Sequence, residues 1–302
     1  MSRKKENNRT VIDSSKNRRP YGAKLTLLIE DDREFKIDAE CSLLVSPNII
    51  IRIKPANDAT YLTKRCWDVY VEGFATAGEA EKCGLKVALG LLWGAFQNKF
   101  SARLLYHTPL PCVVYDRTAS KGLTFSGHCT CLLSYAVKNI VKPLDEIVSS
   151  KNDLDQRLLV AIEIFTGAKM QTTERSKFVN LVSAIEPLAF QQKYENSELH
   201  SLISDFKSKL DLSDIEPSIK VSLKGRIEQL KVESVSKAIR RIIKEKLPND
   251  KYSLEVIEEA YGLRSKILHE GSTDADLQQK SNEVENVIRL LIEKSVKDTL
   301  DL

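Results

Sequence analysis

No apolar run in this chain approaches bilayer length. The longest, Val87-Ala88-Leu89-Gly90-Leu91-Leu92-Trp93 within 86–96, is far short of the roughly twenty residues a spanning helix needs. Framework cysteine spacing is also missing. The six cysteines stand at 41, 66, 83, 112, 129 and 131, and in a chain of this size they read as reduced thiols of a cytoplasmic protein. The net charge of only +4 creates no global demand for a nucleic-acid partner. With four histidines in all, no convincing set of metal ligands stands out, and no cofactor is implied. What remains is the composition of a globular protein, 42% hydrophobic and 29% charged, and its 302 residues allow two domains.

Residues 1–22 form a basic tail. Arg3, Lys4, Lys5, Arg9, Lys16, Arg18 and Arg19 face only Glu6 and Asp13. No apolar core follows, so no signal peptide is readable. The tail reads as disordered and solvated, with a nucleic-acid contact as the other reading.

Residues 23–145 read as a strand-rich domain. The segment 25–29 ends at Asp31-Asp32, a hairpin turn, after which Phe35, Ile37 and Ala39 alternate with Lys36 and Asp38. Further strands are expected at 48–54 and 67–73, giving a mainly antiparallel sheet. Thr76 with Glu79 forms a capping box for a helix over 78–100 that covers a sheet face. Gly90 and Gly94 in it suit backbone packing against a strand. Residues 101–135 read as loops with short strands. His128-Cys129-Thr130-Cys131 invites a zinc reading, but one cluster without a second pair suits buried or edge thiols better.

After about residue 145 helix formers dominate: no Cys or Trp follows Cys131, and only Pro187, Pro217 and Pro248 follow Pro143. The domain 146–302 divides into helices over 153–169, 173–194, 197–210, 217–247 (breaking near Lys224-Gly225), 253–270 and a last one opened by Thr273 or Asp274. Short connections imply an antiparallel bundle. The whole is α+β: an antiparallel sheet with a covering helix, then an all-α bundle.

One stretch, Tyr261-Gly262-Leu263-Arg264-Ser265-Lys266-Ile267-Leu268-His269-Glu270-Gly271, concentrates the chemistry. Leu254, Ile257, Tyr261 and Leu268 define an apolar seam that passes through Arg264, where a cation needs a partner or a purpose. Gly271 ends the helix, leaving His269 in its last turn, where the helix dipole favours a cation. Arg264 offers a fork suited to phosphate and His269 a proton-transfer group. On an ideal helix the two are separated by about 140° and roughly 7.5 Å of rise. Either the helix unwinds before Gly271, or a site is assembled between two copies. Taken on spacing alone, a helix-terminal histidine and a salt-bridged arginine are the default.

Arg264-Ser265-Lys266-Ile267-Leu268-His269 matches the R-x4-H motif of the HEPN superfamily, and 261–271 as a whole resembles its Apea-like branch. Phe178-Val179-Asn180-Leu181-Val182-Ser183-Ala184-Ile185-Glu186-Pro187-Leu188 is similar to an earlier helix of such domains. The likeness spans about 150–302. A softer one, carried by Trp67, Gly73 and the Ala80/Gly84 helix, links the first half to the part preceding some Apea-like domains. The resemblance implies a helical homodimer acting as a metal-independent endoribonuclease in antiviral defence, abortive infection or toxin–antitoxin systems. RNA would be its substrate, and an antitoxin or phage-derived trigger a partner, with no membrane. Arg264 and His269 would be catalytic, with Tyr261, Ser265 and Glu186 in support. Serine at 265 replaces the Asn, Asp or His frequent after the motif arginine and cannot do the same proton chemistry. Glu186 would hold Arg264 or a partner side chain, or else make a contact with the N-terminal domain or at the surface. The rival expectation is a non-catalytic HEPN module that binds RNA or a protein.

Overall fold

The computed structural model describes residues 19–29, 40–46, 49–56, 66–106, 109–118, 135–152, 155–271 and 273–300. The expected turn at Asp31-Asp32, the strand at Phe35–Ala39, the His128–Cys131 cluster and most of the basic tail lie outside these residues. The chain divides into two compact units, Met1–Ser150 and Lys151–Leu302.

In the first unit, β1 (Tyr21–Ile29), β2 (Cys41–Ser46), β3 (Ile49–Pro55), β4 (Cys66–Phe74), β5 (Ala102–Leu105) and β6 (Val113–Asp116) form one sheet. Its order is β2-β3-β4-β1-β5, with β6 also pairing β1, and all pairings are antiparallel. Alternation assigns the faces. Ala23, Leu25, Leu27, Ile51, Ile53, Val69 and Val71 are almost fully buried on the side of α1 (Ala77–Gln97). That helix begins as expected, with the Thr76 hydroxyl accepting from the Glu79 N–H at 3.2 Å and Glu79 reaching back to the Thr76 N–H at 3.3 Å.

A second helix, α2 (Tyr135–Ser149), was not anticipated; it contains Pro143. Proline removes the hydrogen bond to the carbonyl four residues back. Here that carbonyl, on Asn139, accepts instead from Asn98 Nδ2 at 3.5 Å. The helix runs through residue 145 to Ser149. Gly90 and Gly94 face this helix and not a strand: an added Cβ would lie 2.6 Å from Leu144 and 3.1 Å from Ile140 respectively.

The second unit holds α3 (Gln156–Ala168), α4 (Glu174–Ser183), α5 (Ser197–Asp211), α6 (Pro217–Gln229), α7 (Val235–Lys246), α8 (Lys251–Glu270) and α9 (Leu277–Leu300). Phe165, Phe178, Ile243, Ile257, Ile288 and Leu291 anchor a core shared by α3, α4, α7, α8 and α9. Two boundaries differ from expectation. The helix opened by Thr173 ends at Ser183, and turns carry 184–189. The break after Pro217 falls at 230–234, past Gly225, which stays helical because an exposed glycine costs only about 1 kcal/mol.

The later break has a physical cause in Glu233, 3% exposed. Its carboxylate accepts from Arg241 Nη2 at 2.8 Å and from the Gln192 N–H at 3.0 Å. Tyr194 N–H donates to the Lys231 carbonyl at 2.8 Å, and Glu233 N–H to that of Gln192 at 2.9 Å. The chain therefore leaves the bundle and returns at adjoining residues. Between them α5 and α6 pack chiefly on each other; Ile203 is the only buried residue of α5, and α6 has none. Leu202, Phe206 and Leu230 are more than half exposed.

Two predictions follow from this packing. Gly90→Ala should cost ~1–3 kcal/mol through overpacking against Leu144, whereas Gly78→Ala, with nothing within 4 Å, should gain ~0.5 kcal/mol. Urea unfolding read by tryptophan fluorescence tests both, since Trp67 and Trp93 lie in the first unit. Burial pushes the Glu233 carboxyl up, but the bonds from Arg241 and the Gln192 N–H outweigh it and hold it below the ordinary value. A lowered pKa stabilises the fold above the unfolded value of about 4.3, and that contribution disappears as pH falls through the folded value. Glu233→Gln should thus lose ~2 kcal/mol at neutral pH. The gap to wild type should close below about pH 4 in circular-dichroism melts.

Candidate functional site

Helix α8 is fixed at both ends. Asp250 accepts from the Ser253 N–H at 2.9 Å and its hydroxyl at 2.6 Å, and these bonds lower the Asp250 carboxyl. Gly271 closes the helix at φ 75°, a left-handed conformation that suits glycine, its N–H donating to the Ile267 carbonyl at 3.0 Å.

The buried stripe of α8 is Ser253, Val256, Ile257, Ala260 and Ile267. Arg264 lies in it, four residues after Ala260 and three before Ile267. Leu268, expected in the seam, is 54% exposed: the stripe passes through Ile267 instead, and Tyr261 borders it half-buried. The Arg264 side chain is 19% exposed. Its Nη1 donates to Glu186 Oε1 at 2.9 Å and its Nε to Ser183 Oγ at 3.0 Å. Ser183 in turn donates to the Val179 carbonyl at 2.7 Å. The guanidinium carbon is 5.7 Å from the Tyr261 ring centroid. Burial, then the Glu186 charge, push the Tyr261 phenol up, while Arg264 opposes them; the hydroxyl stays protonated.

The structure therefore brings together Arg264, Glu186 and Tyr261 of the expected site residues. It adds Ser183, the last residue of α4, which the sequence reading passed over. The available signal was its position three residues before Glu186, one helical turn away. Ser265 and His269 are exposed and apart from the cluster. Since α8 is unbroken to Glu270, unwinding before Gly271 does not occur, and the separation of about 140° between Arg264 and His269 stands. Among the described residues, no side-chain hydrogen bond or ion pair involves His269, and no group of three or more His, Cys, Asp or Glu could hold a metal ion.

Chemically, the cluster is a cation locked in place, with two of its five N–H donors spent on Ser183 and Glu186. A cavity of about 350 Å³ between α7 and α8, lined by Ile243, Leu247, Pro248 and Leu254 among others, is no part of it. Leu254 stands ten residues before Arg264, about 15 Å along the helix. Among the described residues no helix is long and apolar enough to cross a membrane.

The cluster predicts an asymmetry. Glu186→Ala leaves a mostly buried guanidinium without its counter-ion and should cost ~2 kcal/mol. Arg264→Met leaves a carboxylate that water can reach and should change stability by less than ~1 kcal/mol. Chemical unfolding of the two variants measures the difference, and equal losses would contradict it. No family model, no curated protein and no solved structure matches this chain.

Proposed function

We propose that the helical unit is a HEPN-type, metal-independent endoribonuclease working as a cytoplasmic homodimer in antiviral defence or a toxin–antitoxin system, with the sheet unit sensing a trigger or substrate. The observation that carries the reading is Arg264: a cation in an apolar seam, where an aliphatic residue would serve the fold, furnished with two partners that fix its direction. The R-x4-H spacing with His269 supplies the second chemical group.

The proposed reaction needs no nucleophile from the protein. The RNA 2′-oxygen attacks the adjacent phosphorus; the P–O2′ bond forms as the P–O5′ bond breaks, leaving a 2′,3′-cyclic phosphate and a 5′-hydroxyl. His269 of one copy takes the 2′ proton, and the same residue of the second copy gives a proton to the departing 5′ oxygen. Arg264 stabilises charge on the phosphoryl oxygens, Ser265 orients the phosphate, and Glu186 and Tyr261 hold Arg264. The angle between Arg264 and His269 on α8 supports a site built from two copies.

A second reading has its own observation: Glu186 already neutralises Arg264. On this reading the cluster is structural, and the unit is a non-catalytic module binding RNA or protein. Incubating the full chain with RNA in EDTA separates the two. The nuclease reading expects cyclic-phosphate ends, with His269→Ala and Arg264→Met each slower by ~10²-fold or more while their stability is kept. Wild type that cuts no faster than either variant would rule it out.

A further inference from the structure

One face of the first unit's sheet lies against α1, and the strand register defines what the other face presents. Lys54, Asp68, Thr26 and Leu105 form one cross-strand row. Arg52, Tyr70, Lys24 and Val113 form the next, followed by Glu72, Gly22 and Tyr115. Among the described residues this face is exposed toward its edges, with Leu44 at 66%, Ile50 at 54% and Val113 at 38%, while Thr26 and Asp68 at its middle are buried beneath their neighbours.

The chemistry of the face is cationic and aromatic. The Tyr70 ring has Lys54 Nζ at 4.9 Å, Lys24 Nζ at 5.7 Å and the Arg52 guanidinium at 5.7 Å, and meets Tyr115 edge-on at 6.3 Å. Five cations, Arg103 and Arg117 included, stand against Glu40, Asp68 and Glu72. Every one of those carboxylates is already engaged: Asp68 by Lys24 at 3.0 Å, Glu72 by Arg52 at 2.7 Å and Arg117 at 3.5 Å, Glu40 by Arg52 at 3.2 Å. Among the described residues Lys54 and Arg103 have no ion-pair partner, so the charge left to the outside is positive.

The face also has a groove. β5 pairs with Thr26–Ile29 of β1 and β6 with Tyr21–Lys24, so two short strands follow one another along the same edge. At their junction lies a cavity of about 240 Å³ lined by Lys24, Thr26, Leu105, Leu110, Pro111 and Val113. Its walls are mostly apolar, and the Lys24 ammonium and Thr26 hydroxyl on its β1 side are both engaged by Asp68, at 3.0 Å each. It is too small for a duplex and suits a single ring.

We propose that this sheet face binds single-stranded RNA, seating one unstacked base in the groove and the neighbouring phosphates on Lys54 and Arg103. Aromatic and cationic side chains spread over an open surface are what splayed bases and their backbone require. Lys54 is three strands from the groove, about 14 Å, and Arg103 two residues along β5 from Leu105, about 7 Å. The two cations thus flank the groove on different sides. That the nucleic acid is RNA rests on the ribonuclease reading; that it is single-stranded rests on the face itself.

The test uses the full chain carrying His269→Ala, so that bound RNA is not cut, and a fluorescent single-stranded RNA followed by anisotropy over a salt series. Lys54→Gln with Arg103→Gln should weaken binding at least tenfold and flatten the log–log salt dependence by about 1.4, at 0.7 per lost phosphate contact. Val113→Trp, which fills the groove, should weaken binding with the salt slope kept. DNA of the same sequence binding equally well would keep the site and remove its restriction to RNA. Wild-type affinity and slope in Lys54→Gln/Arg103→Gln would overturn the proposal and leave Leu44 and Ile50 as a protein-facing patch. Loss of binding in that variant, alongside a wild-type chain that cuts no RNA, would uphold this site and reject only the nuclease.

Discussion

A guanidinium confined to the apolar seam of a helix sets the terms for the helical unit. Left unpaired, it would cost several kcal/mol, so the elements facing α8 must supply acceptors at its height. Ser183 does so from the last residue of α4, and Glu186 from the turn that follows. The end of α4, the turns at 184–189 and the rotation of α8 are thereby tied to one another. The same tie bears on the proposed chemistry, in which a phosphate oxygen would share Arg264 with Glu186 or displace it.

The first unit answers to a different constraint. From Val87 to Phe96 every residue of α1 is buried, and a helix covered all round needs neighbours on more than one side. The sheet covers one and α2 another, with Gly90 and Gly94 letting Leu144 and Ile140 approach the backbone. Because α1 satisfies the apolar face, the other sheet face is free to be polar, the usual condition of an antiparallel sheet. Burial, Asp68 and Glu72 push the Tyr70 and Tyr115 phenols up, so both rings remain neutral hydroxyl donors.

Local rules explain what could be read from the chain alone. The capping box of Thr76 and Glu79, the glycine stop at 271, the alternation in β4 and the α+β division all depend on neighbours within a few residues. What escaped depends on distant partners. α2 tolerates Pro143 through Asn98; the break at 230–234 follows the docking of Glu233 on Gln192 and Arg241. β2 was missed because Leu44 points outward, which breaks the alternation of Cys41, Leu43 and Val45. At the candidate site, Arg264 in its seam and Glu186 were legible, and the angle to His269 followed from helix geometry. Ser183 was passed over, since its spacing from Glu186 does not by itself say that α4 ends facing α8.

The excursion between Tyr194 and Lys231 has a consequence for how this protein can change. Its two ends are stapled by backbone bonds and by Glu233, so the bundle registers only where the chain departs and where it returns. Lengthening, shortening or recasting the α5–α6 arm leaves that doorway and the buried core behind it untouched. The apolar side chains on the arm can therefore be exchanged to suit whatever they meet without disturbing Arg264 and its partners.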